Sequence, residues 1–253
     1  MRVLPESSAY FLIAHGSRDP RSRRALEACA MFVRQALDPS QSLEQAWPFV
    51  GSGVLEFGDR PLAVQIETFA KTASRDGVRQ IFLLPLFLMS GNHVNQDLPE
   101  AMQGAQHHSV PELILCPHLG SHPDIHSLVR DRMNETPCDR WILLGHGTRR
   151  SYGNQSVEIL AEQLNATPAF WATEPDLETQ LETLVGGNIH QRVGIVPYFL
   201  FTGSIIDVIS KDIHRLKSRF SALDLQMTQP LNPSAQMAKL LLDRCASVSA
   251  LQR

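Results

Sequence analysis

The sequence predicts an α/β protein of two similar lobes, each a mainly parallel sheet flanked by helices. Three observations carry this expectation. Short β-rich runs alternate with longer amphipathic segments, the same order begins again near the middle of the chain, and two stretches of the first half recur in the second. Strands that alternate with crossover helices pair in parallel and are covered on both faces.

In the first half, residues 10–14 form a short apolar run that reads as a buried strand, and Leu26, Cys29, Met31 or Phe32, Val33 and Leu37 recur near every 3.6 residues, placing a helix over 20–37. Residues 53–57 read as a second strand. Pro61, well suited to a first helical turn, opens a helix through 75. Residues 80–87 are a third strand, followed by a polar loop and a helix over 98–106. A fourth strand at 112–116 and a helix near 123–133 complete the half. The second half reads strand 141–145, helix 151–164, strand 168–172, helix 177–185 and strand 192–198. A loop and helix then run to about 220, before a strand at 223–227 and a last helix at 233–246.

The residues support the duplication more strongly than the pattern does. FLIAHGSRDPRSRRAL from Phe11 matches ILLGHGTRRSYGNQSV from Ile142, setting His15 on His146, Gly16 on Gly147 and Ser17 on Thr148. IFLLPLFLMSGNHV from Ile81 matches VGIVPYFLFTGSII from Val193, setting Pro85 on Pro197 and Gly91 on Gly203. At 253 residues, and roughly 150 per domain, the length alone leaves one or two domains open. The repeat decides for two, with the boundary expected near Pro137: an N-terminal catalytic lobe of 1–136 and a degenerate C-terminal repeat of 137–253.

Composition narrows the function classes. With 43% hydrophobic and 19% charged residues the chain has ample material for a core, and its net charge of −3 gives no global field for nucleic acid or an anionic membrane. The longest apolar runs, 81–89 and 193–201, fall far below the roughly 18 residues of a membrane span. Cys29, Cys116, Cys138 and Cys245 show no metal-finger or ferredoxin spacing, so reduced thiols are expected. Pro5 and Glu6 interrupt what would be a signal sequence, and a cytoplasmic protein is expected. Phosphate-loop, esterase-elbow and H-E-x-x-H motifs are absent, which lowers nucleotide, esterase and zinc-protease readings.

The residues that can carry chemistry sit at strand ends. His15 follows the first strand in a His-Gly-Ser turn, where ligands gather in open α/β sheets, although a histidine there equally serves to bond a nearby carbonyl. His93 closes the stretch Pro-Leu-Phe-Leu-Met-Ser-Gly-Asn-His after the third strand, where it is either a solvated loop residue or a partner of His15. Two imidazoles at one sheet edge can bind a divalent metal of the iron, cobalt or nickel type and accept protons. Glu56, at the end of the second strand, can join them or pair with an arginine. Arg18, with Arg149 and Arg150 at the equivalent turn of the second half, suits a polyanionic ligand, whereas Arg21, Arg23 and Arg24 read as a solvated helix face. His118, His122 and His126 have helical spacing, but Gly120 and Pro123 break the helix and argue against a three-histidine site. His107 and His108 read as a helix end, and His190 and His214 as surface residues.

In LIAHGSRDPRSR, VLEFGDRP, IFLLPLFLMSGNHVNQDLPEAM, PHLGSHPDI and ILLGHGTRR the chain resembles the class II chelatases of the sirohydrochlorin type, the CbiX and SirB family, over nearly its whole length. The resemblance implies ATP-independent insertion of Co²⁺ or Fe²⁺, with Ni²⁺ as a further metal in vitro, into sirohydrochlorin, a tetrapyrrole with eight carboxylates, for cobalamin or siroheme. It implies no cofactor beyond that metal substrate. By the same resemblance His15 and His93 bind the metal and take up pyrrole protons, and Glu56 is the family's cleft glutamate. Leu88, Met89, Ser90, Gly91 and Asn92 form the loop against the macrocycle, and Ser17, Arg18, His146 and Arg149 are further substrate contacts. The second half has Ser204-Ile205 where the first has Asn92-His93, so catalysis is expected in the first lobe, with the second closing the cleft. One chain holding both halves is expected to act as a monomer. The competing expectation is a bilobal carrier that binds metal or tetrapyrrole without turnover.

Overall fold

Parallel pairing organises the chain into two four-stranded sheets. The structure, a computed structural model, describes residues 7–37, 49–106, 111–185 and 191–251. The first sheet holds β1 (Ser8–Ala14), β2 (Val50–Val54), β3 (Gln80–Pro85) and β4 (Glu112–Leu115) in the order β2-β1-β3-β4. The second holds β5 (Arg140–Gly145), β6 (Thr167–Phe170), β7 (Gln191–Pro197) and β8 (Leu223–Met227) in the equivalent order β6-β5-β7-β8. Every pairing is parallel. The α/β expectation is met.

The connecting helices are α1 (Pro20–Leu37), α2 (Leu62–Arg75), α3 (Leu98–Gln106), α4 (Ile125–Asn134), α5 (Gln155–Gln163), α6 (Leu177–Leu184), α7 (Ser204–Arg219) and α8 (Ala235–Leu251). All seven residues of β1 are buried, so an apolar run without alternation is what a central strand covered on both faces requires. On one face Phe11, Ile13, Ile81 and Leu83 pack with Ile66 and Ala70 of α2 and Leu98 of α3. Tyr10 and Phe82 stack on the other face, their ring centroids 5.7 Å apart.

Three sequence expectations are corrected by pairing and turn chemistry. The second strand lies at Val50–Val54 rather than 53–57, because β1 ends at Ala14, whose register partner is Val54. Phe57 then leaves the sheet with a φ of +59°. The fifth helix starts at Gln155, not at 151: Asn154 takes the Thr148 N–H on its Oδ1 at 2.9 Å and holds the preceding residues in a turn. The expected loop before α3 contains a π-helical turn at His93–Asp97.

Packing groups the chain into two units whose limits are not those of the sequence repeat. One unit comprises Met1–His122 with Pro233–Arg253, and the other Pro123–Asn232. Helix α8 packs on α1 in the first unit, where the Cys29 and Met237 sulfurs are 3.7 Å apart, and α4 packs on β7 in the second. The fourth helix of each half thus covers the sheet of the other half. Periodicity reveals that such a helix has an apolar side, but not which sheet that side will cover. Among the described residues no helix is long and apolar enough to cross a membrane. Cys29, Cys116, Cys138 and Cys245 are all free, and burial pushes the Cys29 thiol up to about 12, which keeps it protonated and unreactive.

Candidate functional site

The strand order of the first unit creates the site. Because β1 and β3 are neighbours whose chains leave toward opposite sides, to β2 and to β4, a crevice opens between their carboxyl ends. Ile13 pairs with Pro85, and the Leu86 N–H donates to the Ile13 carbonyl oxygen at 2.7 Å, so the two exits begin side by side. His15 follows β1 directly. Gly16 then turns the chain with a φ of +96°, and a Cβ at this position would fall 1.9 Å from the Glu56 carbonyl oxygen. The Glu56 N–H donates to the His15 carbonyl oxygen at 2.8 Å, which fixes the two side chains on one edge.

The loop after β3 returns His93 to the same place. Its start is fastened by the Gly120 N–H, which donates to the Phe87 carbonyl oxygen at 2.9 Å from a 3₁₀ turn at Leu119–Ser121. The His15 and His93 rings stand edge to face, with centroids 4.7 Å apart and planes at 84°. His15 Nε2 lies 3.9 Å from Glu56 Oε1. One ligating atom from each of His15, Glu56 and His93 falls within 4.8 Å of the others, and no second such group occurs among the described residues. His118, His122 and His126 form no such group; His107, His108 and His190 lie outside the described residues.

The spacing says what this group can do. Two ligands at about 2.1 Å from one ion, at roughly tetrahedral or right angles, stand about 3.0–3.4 Å apart. The 3.9 Å separation of His15 and Glu56 is wider, and their side chains are 47% and 48% exposed. Small side-chain rotations can close the set around an ion, but nothing holds it closed. An open, loosely held ion with adjacent bases suits passing a metal on better than storing it.

The other expected contacts divide into fastened and exposed groups. Ser17 Oγ accepts the Asp19 N–H at 3.0 Å, a turn bond ahead of α1. Arg18 lies over the Phe57 ring at 5.3 Å. Arg21 is drawn off to Asp19 at 2.6 Å, and Arg23 to Glu27 at 3.2 Å. Leu88 and Met89 are partly buried, Ser90, Asn92 and Arg149 are exposed, and Gly91 has open space around it. One partner was missed by sequence reasoning: His93 Nδ1 is 2.6 Å from Asp97 Oδ2. The i, i+4 spacing was visible, but the segment read as a loop.

The second unit keeps one member of the set. The Ala172 N–H donates to the His146 carbonyl oxygen at 2.9 Å, as Glu56 does to His15, so alanine stands in the glutamate's place. Ile205 stands in the place of His93. The His146 ring instead lies 5.5 Å from Trp171 and 6.3 Å from Phe199, and burial lowers its pKa from the usual histidine value.

Two parallel α/β units with this site at one sheet edge define a chelatase-like fold, and SirB from Bacillus subtilis, solved with Fe³⁺, shares it with a TM-score of 0.76 and 22% identity, over 97% of this chain and 98% of that one. The family model described as CbiX matches residues 9–136 and 140–248. The chain belongs to the CbiX family. It is 25% identical to a sirohydrochlorin ferrochelatase of Priestia megaterium over 167 residues, 60% of this chain and 62% of that protein. It is 29% identical to a sirohydrochlorin cobaltochelatase of Methanocaldococcus jannaschii over 94 residues, 37% of this chain and 57% of that protein. The matched stretch thus spans less than two thirds of the length of either relative.

Proposed function

We propose that the chain is a sirohydrochlorin chelatase that inserts Co²⁺ or Fe²⁺ into the tetrapyrrole. The observation that carries the reading is the convergence of His15, Glu56 and His93 at one sheet edge with ligating atoms within 4.8 Å. Membership of the CbiX family and similarity to both ferro- and cobaltochelatases support it. Metallation must strip two pyrrole N–H protons while the ion sheds water, so bases and an open ion site have to coincide. His15 and His93 hold the ion and take up protons, and Glu56 adds negative charge beside them. Ser17, Arg18, Arg149, His146 and the 88–92 loop contact the carboxylate-bearing macrocycle. The protein acts as a monomer in the cytoplasm, a location supported by its four free thiols.

Mixing the protein with anaerobic sirohydrochlorin and Co²⁺ or Fe²⁺, and following the absorption change, tests the reading. Metallation well above the spontaneous rate is expected. Tight binding at the spontaneous rate would replace the enzyme with a carrier. His146→Ala should lower the rate less than about threefold, because one imidazole without the other two groups makes neither an ion site nor a base pair; a hundredfold loss would show that the second unit takes part in the chemistry.

A further inference from the structure

We propose that Asp97 is the positioning residue for His93: its carboxylate accepts the Nδ1–H and so leaves an unprotonated Nε2 facing the ion. The ion's place rests on the chelatase reading above, whereas the pairing of the two side chains does not.

The first support is geometric. The 2.6 Å Nδ1 to Oδ2 separation is short for a nitrogen–oxygen hydrogen bond, just under the roughly 2.7–2.9 Å of charge-assisted ones, as a close pairing with a carboxylate requires. An ionised carboxylate only accepts, so the proton of a neutral His93 must sit on Nδ1. His15 is held in the same sense by another device, its Nδ1 lying 3.2 Å from the Gly16 carbonyl oxygen, which also only accepts. Both rings therefore turn Nε2 outward, and His15 Nε2 is the atom nearest Glu56. A free neutral imidazole favours the opposite tautomer, with its proton on Nε2 and no lone pair there for a metal. Ligating histidines are commonly bound through their second nitrogen for this reason.

The second support is the repeat itself, which serves as an internal control. In the first unit the Leu98 N–H donates to the carbonyl oxygen of His93, five residues back, and this π turn holds one residue more than an α turn. The matched stretches set Val94 on Ile206, and the buried Leu98 corresponds in place to the buried Ile209. Four steps separate the first pair and three the second. The extra residue therefore lies in the segment ending on Asp97. In the second unit α7 runs as regular helix from Ser204, with Ile205 where the histidine would be and Ile209 only 1% exposed. The first copy has the histidine, an aspartate four residues on and the π turn; in the second, Ile205 is followed four residues on by Ile209, Asp207 falls at another position, and the helix is regular.

A merely structural pair would look different on substitution. Both side chains are about two-fifths exposed, and such a surface pair contributes little to folding. A π turn also costs hydrogen-bond geometry, which a surface ion pair alone does not require.

The test uses the full chain labelled with ¹⁵N-histidine, at alkaline pH, with His93 assigned through His93→Gln. Two-bond ¹H–¹⁵N correlations should show His93 as the Nδ1–H tautomer. In Asp97→Ala it should switch to the Nε2–H form, and the affinity for Co²⁺ alone should fall roughly 10- to 100-fold. Asp97→Asn, turned with its amide oxygen to the ring, should keep the tautomer and recover most of the affinity, which also covers the case in which the alanine variant folds poorly. An Nε2–H tautomer in the unsubstituted protein, or Co²⁺ affinity unchanged within twofold in Asp97→Ala, would overturn the assignment. None of these readouts contains a tetrapyrrole. If they appear as expected but sirohydrochlorin is not metallated, the chelatase reading falls and the positioning role stands.

Discussion

His93→Ala is expected to lower sirohydrochlorin metallation at least a hundredfold while leaving the melting temperature within about 2 °C of the parent. Removing a positioned base alone typically costs 10²- to 10⁴-fold, and here the same change also removes an ion ligand. The ring is partly exposed, and its close polar contact is a surface pair with Asp97, so little folding energy depends on it. Initial rates at saturating tetrapyrrole across a Co²⁺ series, beside thermal melting, check both halves of the statement. A loss of less than tenfold would mean that His15 and Glu56 suffice, and the three-group site would have to be redrawn.

Gly16→Ala is expected to destabilise the first unit by about 3 kcal/mol and to lower metallation more than tenfold. Two costs add: a left-handed backbone at a residue with a Cβ, about 1–2 kcal/mol, and the forced retreat of a backbone carbonyl, comparable to overpacking at about 1–3 kcal/mol. The carbonyl belongs to Glu56, 1.9 Å from the added Cβ, so the strain displaces a member of the site. At about 2–4 °C per kcal/mol for a chain of this size, the melting temperature should drop by roughly 6–12 °C. Gly104→Ala is the control. Its Cβ would meet Ala63 at an ordinary 3.5 Å on an exposed face of α3, and a gain of about 0.5–1 kcal/mol is expected from helix propensity. Equal melting of the two variants would show that Gly16 is not held as described.

Strand and helix order was legible because burial on both sheet faces leaves uninterrupted apolar runs such as 10–14, and amphipathic helices leave a 3.6-residue stripe such as that of α1. His15, His93 and Glu56 were legible because strand ends of a parallel sheet share one edge. What escaped was set by partners distant in sequence or by local departures from regularity. The end of β2 depended on where β1 stops, the start of α5 on Asn154 folding back to Thr148, and the π turn on one additional residue before Leu98. Asp97 escaped with the π turn, since i, i+4 neighbours face each other only once the segment is known to be helical.

The placement of α8 bears on how the chain matures during synthesis. Residues 123–232 form a continuous unit, whereas the unit that carries His15 and His93 also needs residues 233–253, which are made only after the whole of the other unit. Domains fold as units while the chain emerges, so residues 1–122 yield a sheet that must wait, one face lacking its α8 cover, until α8 has been made. The unit with the two histidines is begun before the other and completed after it. A nascent chain interrupted before α8 would carry both histidines on a half-covered sheet, a substrate for chaperones rather than a finished unit.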